Sequence, residues 1–152
     1  MRYEYSYSNS VAELIFDKIS SYCEQIQICG SVRRQKQDNG DIDMVIVIGD
    51  RNNLCKNLRD IGFKIYPTLA KKNGNDIPVS IYFSELRYFG SMVLHFTGSN
   101  DFNDVMRKKA KDLGMVLTQF GLFKDEKLVS ARYERDMFTE LGMEYIDPVD
   151  RN

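Results

Sequence analysis

What this chain lacks narrows it first. Its 152 residues contain no apolar run long enough to cross a bilayer. The opening Met1-Arg2-Tyr3-Glu4-Tyr5 has no apolar centre of the kind a secretory signal needs. Cysteine is scarce. Cys23, Cys29 and Cys55 are odd in number and have no metal-ligand spacing, which suits buried thiols in a reducing cytoplasmic or other intracellular setting, a viral one included. There is no repeat and no low-complexity segment. A basic surplus is missing too: 21 Lys and Arg stand against 22 Asp and Glu, a net charge of −1. A nucleic-acid surface, if there is one, must gather its cations locally. What the chain has is core, with 43% hydrophobic and 12% aromatic residues, ample for one domain or two small ones.

The patterning predicts alternating elements. Ser10 and Glu13 read as a capping box ahead of Val11, Leu14, Ile15 and Ile19, predicting a helix over 10–24. A short strand is expected over 25–29, a charged loop over 30–40 and a β-branched strand over 41–48. Leu54, Leu58 and Ile61 predict a helix over 52–61 that stops at Gly62. Strands follow over 63–66 and 77–83, around a polar turn at 71–76. A short helix is expected over 88–96, and Ser99 is placed to cap another reaching Leu113. Small strands over 116–120 and 121–129 and a helix over 132–141 complete the chain. The fold class is therefore α+β: a palm-like mixed sheet with helices over 1–97, then a small α/β unit over 98–152, with Thr97-Gly98 at the boundary.

Chemistry concentrates in Cys29–Gly49, "CGSVRRQKQDNGDIDMVIVIG". Asp41 and Asp43 are two apart. On a strand they face the same way, roughly 7 Å apart at about 3.3 Å per residue. Two carboxylates on one face suit a hard dication such as Mg2+, with Mn2+ as a substitute. Upstream, Gly30-Ser31 allows close backbone approach, and Ser31 and Arg34 offer donors suited to phosphate oxygens. Together these describe a nucleoside triphosphate site.

The stretch "GSVRRQKQDNGDID" resembles the signature of the nucleotidyltransferase superfamily, specifically the family X DNA polymerases. "LHFTGSNDFNDVMRKKAKDLGMVLTQFGLF" (94–123) is similar to that family's palm–thumb junction and thumb, and "FTELGMEYIDPVDR" (138–151) to its C-terminal end. The likeness runs from about residue 10 to the end. It implies that Asp41 and Asp43 bind metal and that Gly30, Ser31, Arg34 and Gly40 contact the triphosphate. Phe96 and Gly98 would pack on the sugar and help exclude a 2′-hydroxyl, with His95 beside them where the family usually has Tyr. Asn103 would reach the base in the minor groove. Arg107 would contact the template strand, with Lys108, Lys109 and Lys111 adding positive charge on the same helix.

Three departures stand out. The chain begins almost at the palm, leaving no room for the family's N-terminal DNA-gripping region, so lyase activity is not expected. Thr118-Gln119-Phe120 stands where the family usually has Asn-Glu-Tyr. The family's third metal-binding Asp, sixteen residues before the Phe of Phe-Thr-Gly, falls on Ser80. The expected function is template-directed addition of deoxynucleotides to a primer 3′-hydroxyl, in gap-filling repair, with Asp41, Asp43 and Ser80 at the catalytic position and chemistry weakened by Ser80. A catalytically impaired nucleotide- or DNA-binding descendant, and a nucleotidyltransferase with a non-DNA acceptor, are the alternatives. Expected partners are a deoxynucleoside triphosphate and primer-template or gapped DNA, bound by a monomer without a membrane. A partner protein could supply the missing grip on DNA.

Overall fold

The computed structural model describes residues 1–152, and its architecture follows from two periodicities. In β4 (Ile42–Ile48), Ile42, Met44 and Ile46 point to one face and are fully buried. Asp43, Val45 and Val47 point to the other, as period two demands. The sheet has order β2-β4-β7-β6-β5, with β2 Cys23–Ile28, β5 Lys64–Ile65, β6 Leu69–Lys72 and β7 Val79–Ser84. β4 and β7 run parallel and every other pairing is antiparallel.

Helices α1 (Tyr5–Ile19) and α3 (Arg51–Asp60) cover the first face. Ala12, Ile15, Ile19, Leu54 and Leu58 join Ile42, Met44, Ile46, Ala70 and Ile81 there in the main core. Truncating one of these side chains to Ala costs about 2–5 kcal/mol. The second face is only partly covered, by α4 (Phe89–Thr97), whose Met92 and Val93 pack with Cys29 and Val45. That leaves the start of β4 open beside α4.

α5 (Asn100–Asp112), α6 (Glu134–Glu140) and the antiparallel strands β8 (Val116–Thr118), β9 (Gly121–Lys124) and β10 (Lys127–Ser130) form the second unit. Its core comprises Phe102, Met106, Ala110, Leu117, Leu122, Met137, Phe138 and Leu141, and also takes in Leu94 from α4. One short helix thus serves two cores. Gly90 makes the join close: a Cβ there would collide with the backbone of Tyr133 and Glu134.

The first helix corrects the sequence reading. It starts at Tyr5, not Ser10, because β1 (Tyr3–Glu4) pairs with β3 (Asp38–Asn39) and delivers the chain into it. Ser10 is therefore interior, its hydroxyl donating to the Ser6 carbonyl at 2.8 Å rather than capping. The helix ends at Ile19, a 3-10 turn over Ser20–Tyr22 follows, and β2 begins at Cys23. The loop expected over 30–40 holds a four-residue helix, α2 (Gly30–Arg33), as well as β3. Ser99 caps α5 as expected, accepting from the Phe102 N–H at 3.2 Å. No helix is long and apolar enough to cross a membrane.

Candidate active site

The parallel register places Asp43 opposite Ser80, so both point to the α4 face, with Asp41 just ahead of the strand. Gly30 passes directly over Asp43. It has φ +61°, and a Cβ would lie 2.7 Å from Asp43 Oδ2, so only glycine lets the loop run this close to the carboxylate. The Cys29 N–H donates to the Asp43 carbonyl at 2.7 Å, fixing the loop to the strand.

Beyond Gly30 the side chains fan out. Ser31 Oγ donates to Asn39 Oδ1 at 2.6 Å, bracing the far side of the loop. Arg34 donates through Nη1 to the carbonyl of Thr97 and lies against Gly98, the residue before a cis Gly98–Ser99 bond. Arg33 turns the other way, donating to Thr97 Oγ1 at 2.8 Å and to both oxygens of Glu134 at 2.7 and 2.9 Å. Glu134 also accepts from Arg151 at 2.8 Å and from the Tyr145 hydroxyl at 3.1 Å. Arg151 is fully buried, 5.1 Å from the ring centres of Phe138 and Tyr145, with one guanidinium nitrogen unpartnered. Burial would raise Glu134, but the hydrogen bonds from Arg33 and Arg151 hold it below its ordinary value. This cluster joins the loop of the first unit to the helix and tail of the second.

The result is a polar cavity of about 510 Å3. Gly30, Ser31, Arg34, Gly40, Asp41 and Asp43 form one side, and His95, Phe96, Gly98 and Asn103 the other. The structure therefore brings these ten predicted residues together. Ser80 is beside Asp43 but does not reach the cavity wall. Tyr82, two residues on and on the same face, takes that place and stacks on Phe96 with ring centres 3.7 Å apart. Asn103 is buried, its amide donating to the His95 carbonyl at 2.8 Å. Arg107 lines a smaller cleft with His95, Asn103, Ser91 and Thr118, of which His95 and Asn103 also line the main cavity. Lys108 and Lys111 lie outside, on the exposed side of α5, with Lys108 paired to Asp112 at 2.9 Å.

The electrostatics suit a cation. Burial, reinforced by the Asp41 charge, pushes Asp43 up to about 7. Burial and then Arg107 lower His95, which favours its neutral form, and burial lowers Arg34. A dication between Asp41 and Asp43 would relieve their repulsion, and two hard carboxylate oxygens with phosphate oxygens and water suit Mg2+ or Mn2+. No group of three or more His, Cys, Asp or Glu side chains converges to hold a metal. At this site Ser80, opposite Asp43, carries a hydroxyl and no carboxylate.

Sequence reasoning missed four wall residues: Arg2, Tyr82, and Ser99 and Asn100 at the start of α5. Arg2 reaches the cavity because β1 pairs with β3; it ion-pairs with Asp38 at 3.0 Å, and a Cβ on Gly40 would be 3.4 Å from its Nη1. Nothing local in the sequence signals this. Tyr82 was legible, because period two from Ser80 puts it on the same face.

A carboxylate pair at a strand start, a glycine-serine-arginine loop over it, and a second unit closing the cavity define a nucleotidyltransferase palm with a thumb. The DNA polymerase beta palm family matches residues 2–114 and the DNA polymerase beta thumb family residues 92–152. The chain belongs to this family, the family X DNA polymerases. It is 27% identical over 136 residues to Repair DNA polymerase X of African swine fever virus, covering 80% of this chain and 78% of the viral protein. It is 28% identical to DNA polymerase lambda of Rattus norvegicus, covering 82% of this chain but 28% of the rat protein. DNA polymerase IV of Saccharomyces cerevisiae is 34% identical over 94 residues, 57% of this chain and 15% of the yeast protein. The chain thus spans most of the viral relative and a small part of the two cellular ones.

Proposed function

We propose that the chain is a template-directed DNA polymerase that extends a primer 3′-hydroxyl in gap-filling repair. The observation that carries this reading is the convergence of Asp41, Asp43, Ser31, Arg34 and Phe96 on one cavity of about 510 Å3. The names of the relatives, a repair DNA polymerase and DNA polymerase lambda among them, point the same way.

Asp41 and Asp43 would hold the divalent ion, Mg2+ or Mn2+; when bound, it supplies Lewis-acid stabilisation of phosphoryl charge. Ser31, Arg34 and the Gly40 backbone orient the triphosphate, the Ser31 hydroxyl turning from Asn39 to do so. The primer 3′-hydroxyl attacks the α-phosphorus and gives up its proton to water, the new P–O bond forms, and the bond to the bridging oxygen breaks to release pyrophosphate. Arg34 meets part of the charge that builds on the leaving group. Phe96 and Gly98 pack on the sugar, Asn103 faces the base, and Arg107, Lys108 and Lys111 offer cations to the template strand. The boundary between palm and thumb lies at Thr97-Gly98.

A second reading has its own observation. Ser80 leaves the pair of carboxylates without a third, which favours a protein that binds nucleotide and DNA better than it turns them over. Primer extension on gapped DNA with Mg2+ or Mn2+, run beside Ser80→Asp, separates the two. Extension by the wild type supports the polymerase. Extension only by the variant supports the impaired descendant. Extension by neither, with triphosphate still bound, points to another acceptor.

A further inference from the structure

A second surface lies outside the candidate cavity. Arg87, Tyr88, Phe120, Phe123 and Leu128 enclose an open groove of about 390 Å3. Phe120 is 49% exposed and Leu128 53%, and neither has a polar atom in its side chain to account for that. Tyr88 and Phe120 meet edge to face, ring centres 5.3 Å apart at 90°, making a corner of two aromatic surfaces. The Arg87 guanidinium sits 5.6 Å from the Tyr88 ring centre, and its partner Glu85 is an exposed one that a phosphate can replace.

The corner is held in shape. Ser91, buried in α4, donates to the Gln119 carbonyl at 2.9 Å and ties the β8–β9 turn to the helix. The Phe120 N–H donates to Thr118 Oγ1 at 3.1 Å. Gly121, at φ +146°, lets Leu128 close in, because a Cβ there would be 2.6 Å from Leu128 Cδ1. An exposed aromatic corner braced this way is not a frayed edge.

Its position points to an occupant. Tyr88 is the residue just ahead of α4, and Ser91 and His95 follow it at intervals of three and four along one side of the helix. Tyr88 to His95 is about 10 Å along the axis, roughly three base steps at 3.4 Å. Ser91 and Thr118 stand between His95 and the corner, Ser91 bonding the Gln119 carbonyl and Thr118 accepting from the Phe120 N–H. A strand leaving the nucleotide cavity would therefore meet the corner about three nucleotides on. Five side chains are too few for a stable protein interface, which buries upwards of about 1,000 Å2. One unpaired base, with its π-face and its phosphate, matches both the rings and Arg87.

We infer that this groove is a stacking platform for an unpaired template nucleotide ahead of the active site, an inference that rests on the polymerase reading above. The test compares, by fluorescence anisotropy, a primer-template with a short unpaired 5′ template overhang and the same duplex ending blunt. The wild type should favour the overhang about tenfold, and 2-aminopurine at the third unpaired position should be quenched. Phe120→Ala should erase that preference while binding blunt duplex and Mg-nucleotide as the wild type does. Phe120→Trp should keep it. Equal wild-type affinity for the two DNAs, or equal loss for both in Phe120→Ala, overturns the platform and leaves the polymerase reading standing. No binding to either DNA overturns both.

Discussion

Ser80 stands directly across from Asp43 in the parallel pairing of β4 and β7, on the same face of the sheet. Paired strands are about 4.8 Å apart, so a carboxylate installed at 80 would reach an ion held by Asp43. Ser80→Asp should raise nucleotide incorporation by about two orders of magnitude, about 2.7 kcal/mol in the barrier. Single-turnover extension on gapped DNA checks this. A folded variant no faster than the wild type would show that activity is limited elsewhere.

Asp41→Ala should abolish metal-dependent triphosphate binding, because the remaining carboxylate cannot hold the ion alone. Calorimetry with Mg-nucleotide reads this directly, and unchanged affinity would refute the site.

Asp43 predicts a stability that depends on pH. Its folded value of about 7 lies above the ordinary 3.8. Between these limits the folded protein keeps a proton that the unfolded chain has released, so stability falls as pH rises from about 4 to about 7 and stays reduced above. Asp43→Asn removes that loss. In chelator its melting temperature should exceed the wild type's by several degrees at pH 8, and the two should converge near pH 4. A gap of the same size at both pH values would mean that Asp43 is not strained by burial and Asp41.

Arg34→Ala should weaken triphosphate binding by about 1.5–3 kcal/mol, the range of a hydrogen bond to a charged group. Binding of the nucleoside alone should hardly change. Equal losses for both ligands would assign Arg34 to the fold, through its bond to the Thr97 carbonyl.

Glu134→Ala strands two guanidiniums in the interior, with Arg33 at 16% and Arg151 at 0% side-chain exposure. Breaking a buried pair in this way costs about 3–5 kcal/mol, which urea titration at neutral pH would measure. Because Glu134 is held below its ordinary value, its contribution is present above pH 4.5 and lost as pH falls through the folded value. A wild-type stability flat from pH 6 to pH 2 would contradict that.

Most of the candidate site was legible because it is local in sequence. Asp41 and Asp43 share a face by period two, and Gly30, Ser31 and Arg34 precede them by about ten residues. Phe96 and Gly98 lie farther along but carry their own motif. What could not be read depends on long-range pairing. Arg2 arrives through a two-residue strand pairing with Asp38–Asn39. Arg33 falls in the stretch that reads as a charged loop, yet its acid is Glu134, in the other unit. The start of α1 was misplaced because Ser10 and Glu13 imitate a cap, whereas strand pairing at Tyr3–Glu4 sets the true one.

The Arg33–Glu134–Arg151 cluster makes palm and thumb poor candidates for exchange. A chimera that joined this palm to a foreign thumb would leave Arg33 inside the join with no acid to meet it. The reverse graft would leave Glu134 with Arg151 alone. Leu94 raises the same obstacle in apolar form, since α4, which covers part of the main sheet, also fills part of the second unit's core. Each half is legible by itself as a module, but the matching surfaces must be inherited together.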